Sequence, residues 1–405
     1  MLAPTHSQAL TSSAPARLHL DYLDGLRGLA ALYVVFHHLY IFQFGMAARS
    51  GLGGLLVNWL LYGHLAVDVF IVLSGFCLAL PAARTGQIRG GALLFFRKRA
   101  RRILPPFYAS LILCAGALLA VRHLKPAGHS LFTLHGLIAN ALLLQDLFPQ
   151  FNYEFNLTFW SVAVEWKIYF LFPFLLFVWR RYGVPGLLGA AAALALAASA
   201  ALHFWHPDMP LGHTCPWYVF LFGLGMAAGL LTGEKGRPHA PKSVWGLLCF
   251  LPLLVLLLRL YPITSQGEDA LFMPHLPVID IAAGALTASL LVLLAQGGSL
   301  GVRVLSWKPL AALGTFAYSL YLVHFPLISC LVQAAHRVHR QPLREALLFL
   351  VGTPCIIACA YLFYRVFERP FMSTPVPAKT GARAEMAALT GPAPGTLSKS
   401  RLFLL

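Results

Sequence analysis

This sequence predicts an all-α fold, a polytopic bundle of membrane-crossing helices, and three observations carry that reading. Of its 405 residues, 59% are hydrophobic. Only 11% are charged, where soluble domains carry about 25%. At least ten continuously apolar stretches recur between positions 22 and 367, each long enough to cross a hydrocarbon core of about 30 Å as a helix. A soluble fold is excluded. So is a β-barrel, whose strands would alternate apolar and polar residues in segments of about ten.

The elements follow in chain order. A polar segment, 1–19, precedes the membrane domain 20–371 and shows no cleavable signal peptide. Helical spans are predicted at about 22–44, 55–80, 103–121, 159–179, 184–204, 214–231, 243–261, 276–296, 310–333 and 346–367. The stretch 131–147 is too short for a confident crossing, and the tail 372–405 is Pro, Gly, Ala and Ser rich, which predicts disorder.

Charge decides the topology. The chain carries 30 Lys and Arg against 14 Asp and Glu, a balance that in a soluble domain would suggest nucleic acid. Here the basic residues lie mostly between apolar runs, so the positive-inside rule accounts for them and no nucleic-acid partner is expected. With ten crossings, a cytoplasmic N-terminus and 131–147 not spanning, twenty basic residues fall inside and six outside. Were 131–147 to cross, eleven would lie inside and fifteen outside, against the rule. The expectation is therefore ten spans, both termini cytoplasmic, and 131–147 re-entrant or packed at the outer face. The seven cysteines show no C-x-x-C spacing, so neither a disulfide framework nor a metal is expected.

Ionisable groups inside a bilayer cost about 2.5–3.5 kcal/mol each on insertion scales, so each one is a functional candidate. In the first span, DGLRGLAALYVVFHHL, Arg27 and His38 are eleven residues apart. That spacing puts them within about 20° of one helix face and about 16 Å apart along it; His37 lies about 80° away. The second span, HLAVDVFIVLSGF, buries Asp68, for which His38 or Arg27 is the expected partner, and sets His64 one turn earlier at the mouth of the same cavity. Ser74 and Gly75 also suit close helix packing. The cluster FFRKRARR, with Arg99 and Arg102, suits a polyanion, whether lipid headgroups or the phosphates of coenzyme A. FWSVAVEWKIYFLFP supplies Trp160, Glu165, Lys167 and Tyr169. Glu165 and Lys167, two apart, point to different faces, which argues against a pair. On this topology Glu165 reaches toward His38. SLYLVHFPL places His324 beside Tyr318, Ser319 and Tyr321, and Arg365 and Glu368 are spaced as a helix-end ion pair.

Taken together, these pieces resemble the acyltransferase 3 family of integral-membrane acyltransferases. The resemblance rests on D-G-L-R-G, the Arg27 to His38 spacing, VDVFIVLSGF, R-x-x-R at Arg99 and Arg102, FWSVAVEWKIYFLFP, SLYLVHFPL and the terminal ERP, in that order across about 20–371. It implies transfer of an acyl group, usually acetyl, from cytoplasmic acyl-CoA to a hydroxyl of an envelope carbohydrate or lipid-linked glycan, with His38 essential and Arg27 supporting it. It also implies a bacterial inner-membrane location. On this reading Arg99, Arg102 and Arg27 bind acyl-CoA, and His38 acts as general base or transient acyl carrier with Asp68 or Glu165 holding its tautomer. His37, Ser74, Trp160, Tyr169 and His324 line the substrate pocket. No metal takes part. The other reading of the buried charges is a proton-coupled transporter or flippase using Asp68, Glu165 and His38 as a relay. Oligomeric state, acyl chain and acceptor stay open.

Overall fold

The computed structural model describes residues 21–46, 57–124, 132–207, 209, 211–233, 241–263, 268–297 and 299–372. The segment 1–19 and the tail beyond residue 372 lie outside the described residues. Among the described residues all regular structure is helical. The longer helices are α1 (Asp21–Phe44), α2 (Leu65–Ala79), α3 (Gly91–Leu124), α4 (Leu134–Ala141), α5 (Phe159–Trp205), α6 (Tyr218–Gly233), α7 (Lys242–Ile263) and α8 (Glu268–Ala295). They are followed by α9 (Leu300–Leu305), α10 (Lys308–Thr315), α11 (Ala317–Ala335) and α12 (Gln341–Phe371).

Six helices of the described chain are long and apolar enough to cross a membrane, and α2, α6 and Lys242–Leu257 of α7 are shorter apolar helices. The 47 residues of α5 are two helices joined at Gly183, whose φ of 68° and ψ of −165° break the helical path. Only a residue without Cβ takes that conformation at no steric cost, so the two expected spans 159–179 and 184–204 follow one another with a kink between them. Large apolar side chains face outward along several helices: Ile112 is 70% exposed, Leu196 72% and Leu350 74%. Such faces suit lipid, and in water they would form a patch far beyond what a soluble monomer shows.

The stretch 131–147 forms no spanning helix. Thr133 caps the eight-residue α4 by accepting from the Gly136 amide at 2.9 Å. Leu143 then takes a positive φ of 56°, and a short 3-10 turn, Gln145–Leu147, follows. A helix of that length reaches only about 12 Å. Asp146 on this turn pairs with Lys167 of α5, so Lys167 is bound to the turn and not to Glu165.

Glycine sets close helix contacts. The tightest join α1 to α9 and α10, where a Cβ on Gly25 would sit 1.7 Å from the Leu305 carbonyl and one on Gly314 1.8 Å from the Asp24 carbonyl. A Cβ on Gly225 of α6 would sit 2.0 Å from the Val72 carbonyl of α2, and one on Gly75 of α2 would sit 2.2 Å from the Phe222 carbonyl of α6. These helices approach backbone to backbone, as small residues allow in a membrane. The same holds where Gly28 of α1 meets α10, a Cβ there falling 2.4 Å from the Leu310 carbonyl. The helix α11 packs on α1 and α12, and α12 carries two π turns, Leu347–Gly352 and Tyr364–Glu368, the second of which ends at the buried Glu368. Such bulges recur at functional sites.

Candidate active site

Two neighbouring features form the site: a basic cavity and, one helical turn from its Tyr321 wall, a histidine pair. The cavity has a volume of about 140 Å³ and is bounded by α1, α2, α3, α5, α11 and the end of α12. Arg27 faces it from α1, Ser74 and Cys77 from α2, Arg99 and Arg102 from α3, and Glu165 and Tyr169 from α5. Arg27 is oriented by two contacts, Nη1 donating to Asp24 at 2.6 Å and Nη2 to the Cys77 sulfur at 2.9 Å. The Arg99 guanidinium lies over the Tyr169 ring, 5.8 Å from its centroid. Glu165 accepts from the Ser74 and Tyr169 hydroxyls, so the two residues one turn apart on α5 reach across to α2.

Glu368 is buried and accepts from the Ser319 amide at 3.2 Å and from its hydroxyl. Arg365 instead donates to the Tyr361 hydroxyl at 3.1 Å. The expected Arg365 and Glu368 ion pair is therefore absent, because the terminal π turn breaks the i, i+3 register that would align them. Glu368 lines the cavity near Arg102, close enough for coulombic attraction.

Phe70, Ser161 and Tyr321 also line the cavity. The Tyr321 hydroxyl and Ser161 Oγ are 2.6 Å apart, and the Phe70 ring meets Tyr321 edge-on with centroids 5.9 Å apart. One helical turn beyond Tyr321 is His324, its ring centroid 5.7 Å away. His324 Nε2 lies 3.1 Å from His38 Nδ1. His324 Nδ1 faces two carbonyls, Leu320 at 3.1 Å and Tyr321 at 2.8 Å.

That network assigns the protons. Facing only acceptors, His324 Nδ1 carries hydrogen, which makes its Nε2 an acceptor. His38 Nδ1, between that nitrogen and the Val34 carbonyl at 3.0 Å, must then be a donor. His38 Nε2 is left as the lone-pair nitrogen. His37 packs edge-to-face on His38, with centroids 4.8 Å apart, and donates through Nδ1 to the Leu60 carbonyl at 2.7 Å.

Several expectations are thereby corrected. Asp68 forms no hydrogen bond or ion pair with His38 or Arg27 among the described residues; its neighbours are Asp280 of α8 and Tyr218 of α6. The side chain of a residue one turn into α2 points where α2 packs on α6 and α8, not toward α1. Glu165 is engaged by Ser74 and Tyr169, so neither acid holds the His38 tautomer; His324 occupies that position. His64 does not open onto the cavity. It stacks on Trp160, with centroids 5.6 Å apart and planes 7° from parallel, and contacts Tyr218 and Asp280. Trp160 is accordingly set with that second cluster. Ser74, Tyr169, Arg27, Arg99 and Arg102 do share one cavity. Sequence reasoning assigned no site role to Tyr321 or Ser161 and read Glu368 only as an ion-pair partner, although Tyr321 and His324, three apart on one helix, carried a signal.

A buried, hydrogen-bonded histidine pair thus lies next to a cavity that three arginines face. The chain belongs to the acyltransferase 3 family, described as an acyltransferase domain, which matches residues 20–365, and it is an acyltransferase. It is 28% identical to acyltransferase MdmB of Streptomyces mycarofaciens, the match covering 78% of this chain and 80% of that protein. It is 25% identical to O-acetyltransferase OatA of Staphylococcus aureus, over 76% of this chain and 51% of OatA. It is 27% identical to the putative peptidoglycan O-acetyltransferase YrhL of Bacillus subtilis, over 87% and 55%. The chain thus spans about half the length of OatA and YrhL. No solved structure matches it.

Proposed function

We propose that this protein moves an acetyl or similarly short acyl group from acyl-CoA on the cytoplasmic side of the bacterial inner membrane to a hydroxyl of an envelope carbohydrate or lipid-linked glycan, using ten crossings with both termini cytoplasmic. The observation that carries the reading is the His38 and His324 hydrogen bond of 3.1 Å, one turn from a cavity that three arginines face. The names of OatA and YrhL, an O-acetyltransferase and a putative peptidoglycan O-acetyltransferase, support a carbohydrate acceptor.

The cavity fits the acyl end of such a donor. An engineered hole of about 150 Å³ admits benzene, so about 140 Å³ holds a short acyl thioester while the nucleotide stays at the mouth. Arg99 and Arg102, on the cytoplasmic side by the positive-inside count, are the forks for its phosphates. The donor supplies an activated carbonyl. His38 Nε2 accepts the proton of the acceptor hydroxyl as its oxygen attacks that carbonyl, and the imidazolium is stabilised through Nδ1–H by His324. The proton then passes to the departing thiolate. Tyr321 and Ser161, at the junction of cavity and histidines, are the donors nearest to where oxyanion charge develops.

The test is transfer of labelled acetyl from acetyl-CoA into envelope glycan by membranes containing the wild-type chain or His38→Ala at equal abundance. Label is expected from wild type and a loss of roughly 100-fold or more in the variant, the scale of general-base removal. Equal incorporation by both would remove His38 from the mechanism. No incorporation by either, with other acyl donors and glycan acceptors supplied, would remove the reading itself.

A further inference from the structure

A second buried polar cluster lies outside the acyl-transfer site, where α2, α6 and α8 meet. It comprises His64 and Asp68 from the start of α2, Cys215 and Tyr218 from the turn into α6, and Asp280 from α8. His64 Nε2, Cys215 Sγ and a carboxylate oxygen of Asp280 all lie within 4.8 Å of one another. Asp68, Cys215 and Asp280 are each fully buried.

The Asp280 carboxylate is only half satisfied. Its Oδ2 accepts from Trp217 Nε1 at 2.8 Å and lies 3.2 Å from His64 Nε2, while its Oδ1 has no hydrogen-bond partner. Asp68 is the sharper case, because neither of its oxygens has a partner at hydrogen-bonding geometry, and its nearest charged neighbour is Asp280. Two carboxylates set against one another in an apolar interior repel, and each has lost its water. One imidazole cannot balance both. Cys215 is also held in the left-handed region, φ 42°, and that backbone turns its thiol to the cluster.

We propose that this cluster is a binding site for one divalent cation of the zinc class, with His64 Nε2, Asp280, Cys215 Sγ and Asp68 as its ligands. The donor set of one nitrogen, one thiolate and two carboxylates matches zinc better than magnesium or calcium, which take oxygen alone. Ligand bonds of about 2.0–2.3 Å require His64, Cys215 and Asp280 to draw in by roughly 1 Å along their longest edge, and Asp68, facing Asp280, completes the set by a rotamer change. Trp217, on Asp280, is placed to orient that ligand from outside, while the Tyr218 hydroxyl, 2.9 Å from His64 Nε2, yields that nitrogen's lone pair when the metal binds. Cysteine spacing gave no hint of such a site because each region of the fold contributes separately, with 216 positions between His64 and Asp280. Its consequence is to pin three helices at one end of the bundle, with Trp160 stacked on the His64 ring.

The full-length chain, purified in detergent and stripped with a chelator, is loaded with zinc chloride or cobalt chloride alone, desalted, and assayed for metal content and absorbance. The expected result is close to one zinc per chain, at least tenfold less in His64→Ala, Asp68→Asn and Asp280→Asn, and a near-ultraviolet thiolate-to-cobalt band in wild type that Cys215→Ser lacks. Size-exclusion profiles identify variants that fail to fold. Were all three ligand variants to aggregate, the wild-type cobalt spectrum and a zinc-dependent rise in melting temperature would decide. The proposal is overturned if monodisperse wild-type protein holds no zinc, which would mean the two carboxyls share a proton instead. It is equally overturned if stoichiometric binding survives every substitution, or if cobalt binds without the thiolate band.

Discussion

His38 and His324 divide a task at the residue scale. The first presents its lone-pair nitrogen, and the second, anchored by the Leu320 and Tyr321 carbonyls, keeps it presented. His324 is therefore a positioning residue. His324→Gln, whose side-chain oxygen can still accept from His38 Nδ1, is expected to retain more activity than His324→Ala. The readout that separates this from a purely structural role is kcat, which should fall roughly tenfold or more in the alanine variant while KM for acyl-CoA holds, since only orientation of the base is lost. Equal loss in both variants would argue against the tautomer assignment. Arg99 predicts the opposite split. Its guanidinium lies over Tyr169 while facing the cavity, and an ammonium offers neither the stacking plane nor the fork. Arg99→Lys should raise KM for acyl-CoA about tenfold with kcat little changed, measured by initial rates at varied donor concentration.

Among the elements, the α2 and α6 pair sets the geometry on which both polar sites depend. Ser74 of α2 reaches Glu165, Asp68 of the same helix faces Asp280, and both depend on the closeness of the two backbones at Gly75 and Gly225. A methyl on Gly225 would meet the Val72 carbonyl at 2.0 Å, and a main-chain atom cannot swing aside as a flexible side chain can. Gly225→Ala should cost about 1–3 kcal/mol, the scale of overpacking, and lower the melting temperature of the detergent-solubilised protein. An unchanged melting temperature would mean that the helices separate without penalty. The break at Gly183 falls in the gap between the two expected spans 159–179 and 184–204, beside Arg180 and Arg181.

For the whole molecule, the arrangement of charge gives a topology that can be measured. The loop holding Thr85 precedes α3, and His135 lies in α4 beyond its other end. Thr85→Cys and His135→Cys, each introduced into a chain whose native cysteines have been replaced, should label from opposite faces of sealed, oriented vesicles, with Thr85→Cys on the cytoplasmic side. Labelling of both from one face would overturn the ten-span topology.

Much of this molecule was determined by the sequence alone. Continuous apolar runs leave a helix as the only way to satisfy the backbone in lipid, and the described regular structure is helical, although the 55–80 run is an α-helix only from Leu65 and the 310–333 run breaks at Phe316. The stretch 131–147 was legible as too short to cross, and the distribution of Arg and Lys argued the same way; the structure has only an eight-residue helix and a 3-10 turn there. Arg27, Arg99, Arg102, Ser74 and Tyr169 were legible as candidates because a polar group in an apolar run has a cost that must be met somewhere. What only the tertiary structure decided was the identity of the partners. His38 lies 286 positions from His324, and no periodicity within either helix records which neighbour each one faces. Asp68 and Glu165 were candidates for His38 on equal terms until helix packing turned one toward α8 and the other toward Ser74. Hydropathy and spacing act within a segment, whereas the pairing of buried polar groups is set by how segments rotate against each other. That rotation is fixed by contacts such as Gly75 on the Phe222 carbonyl, which exist only once the helices have met.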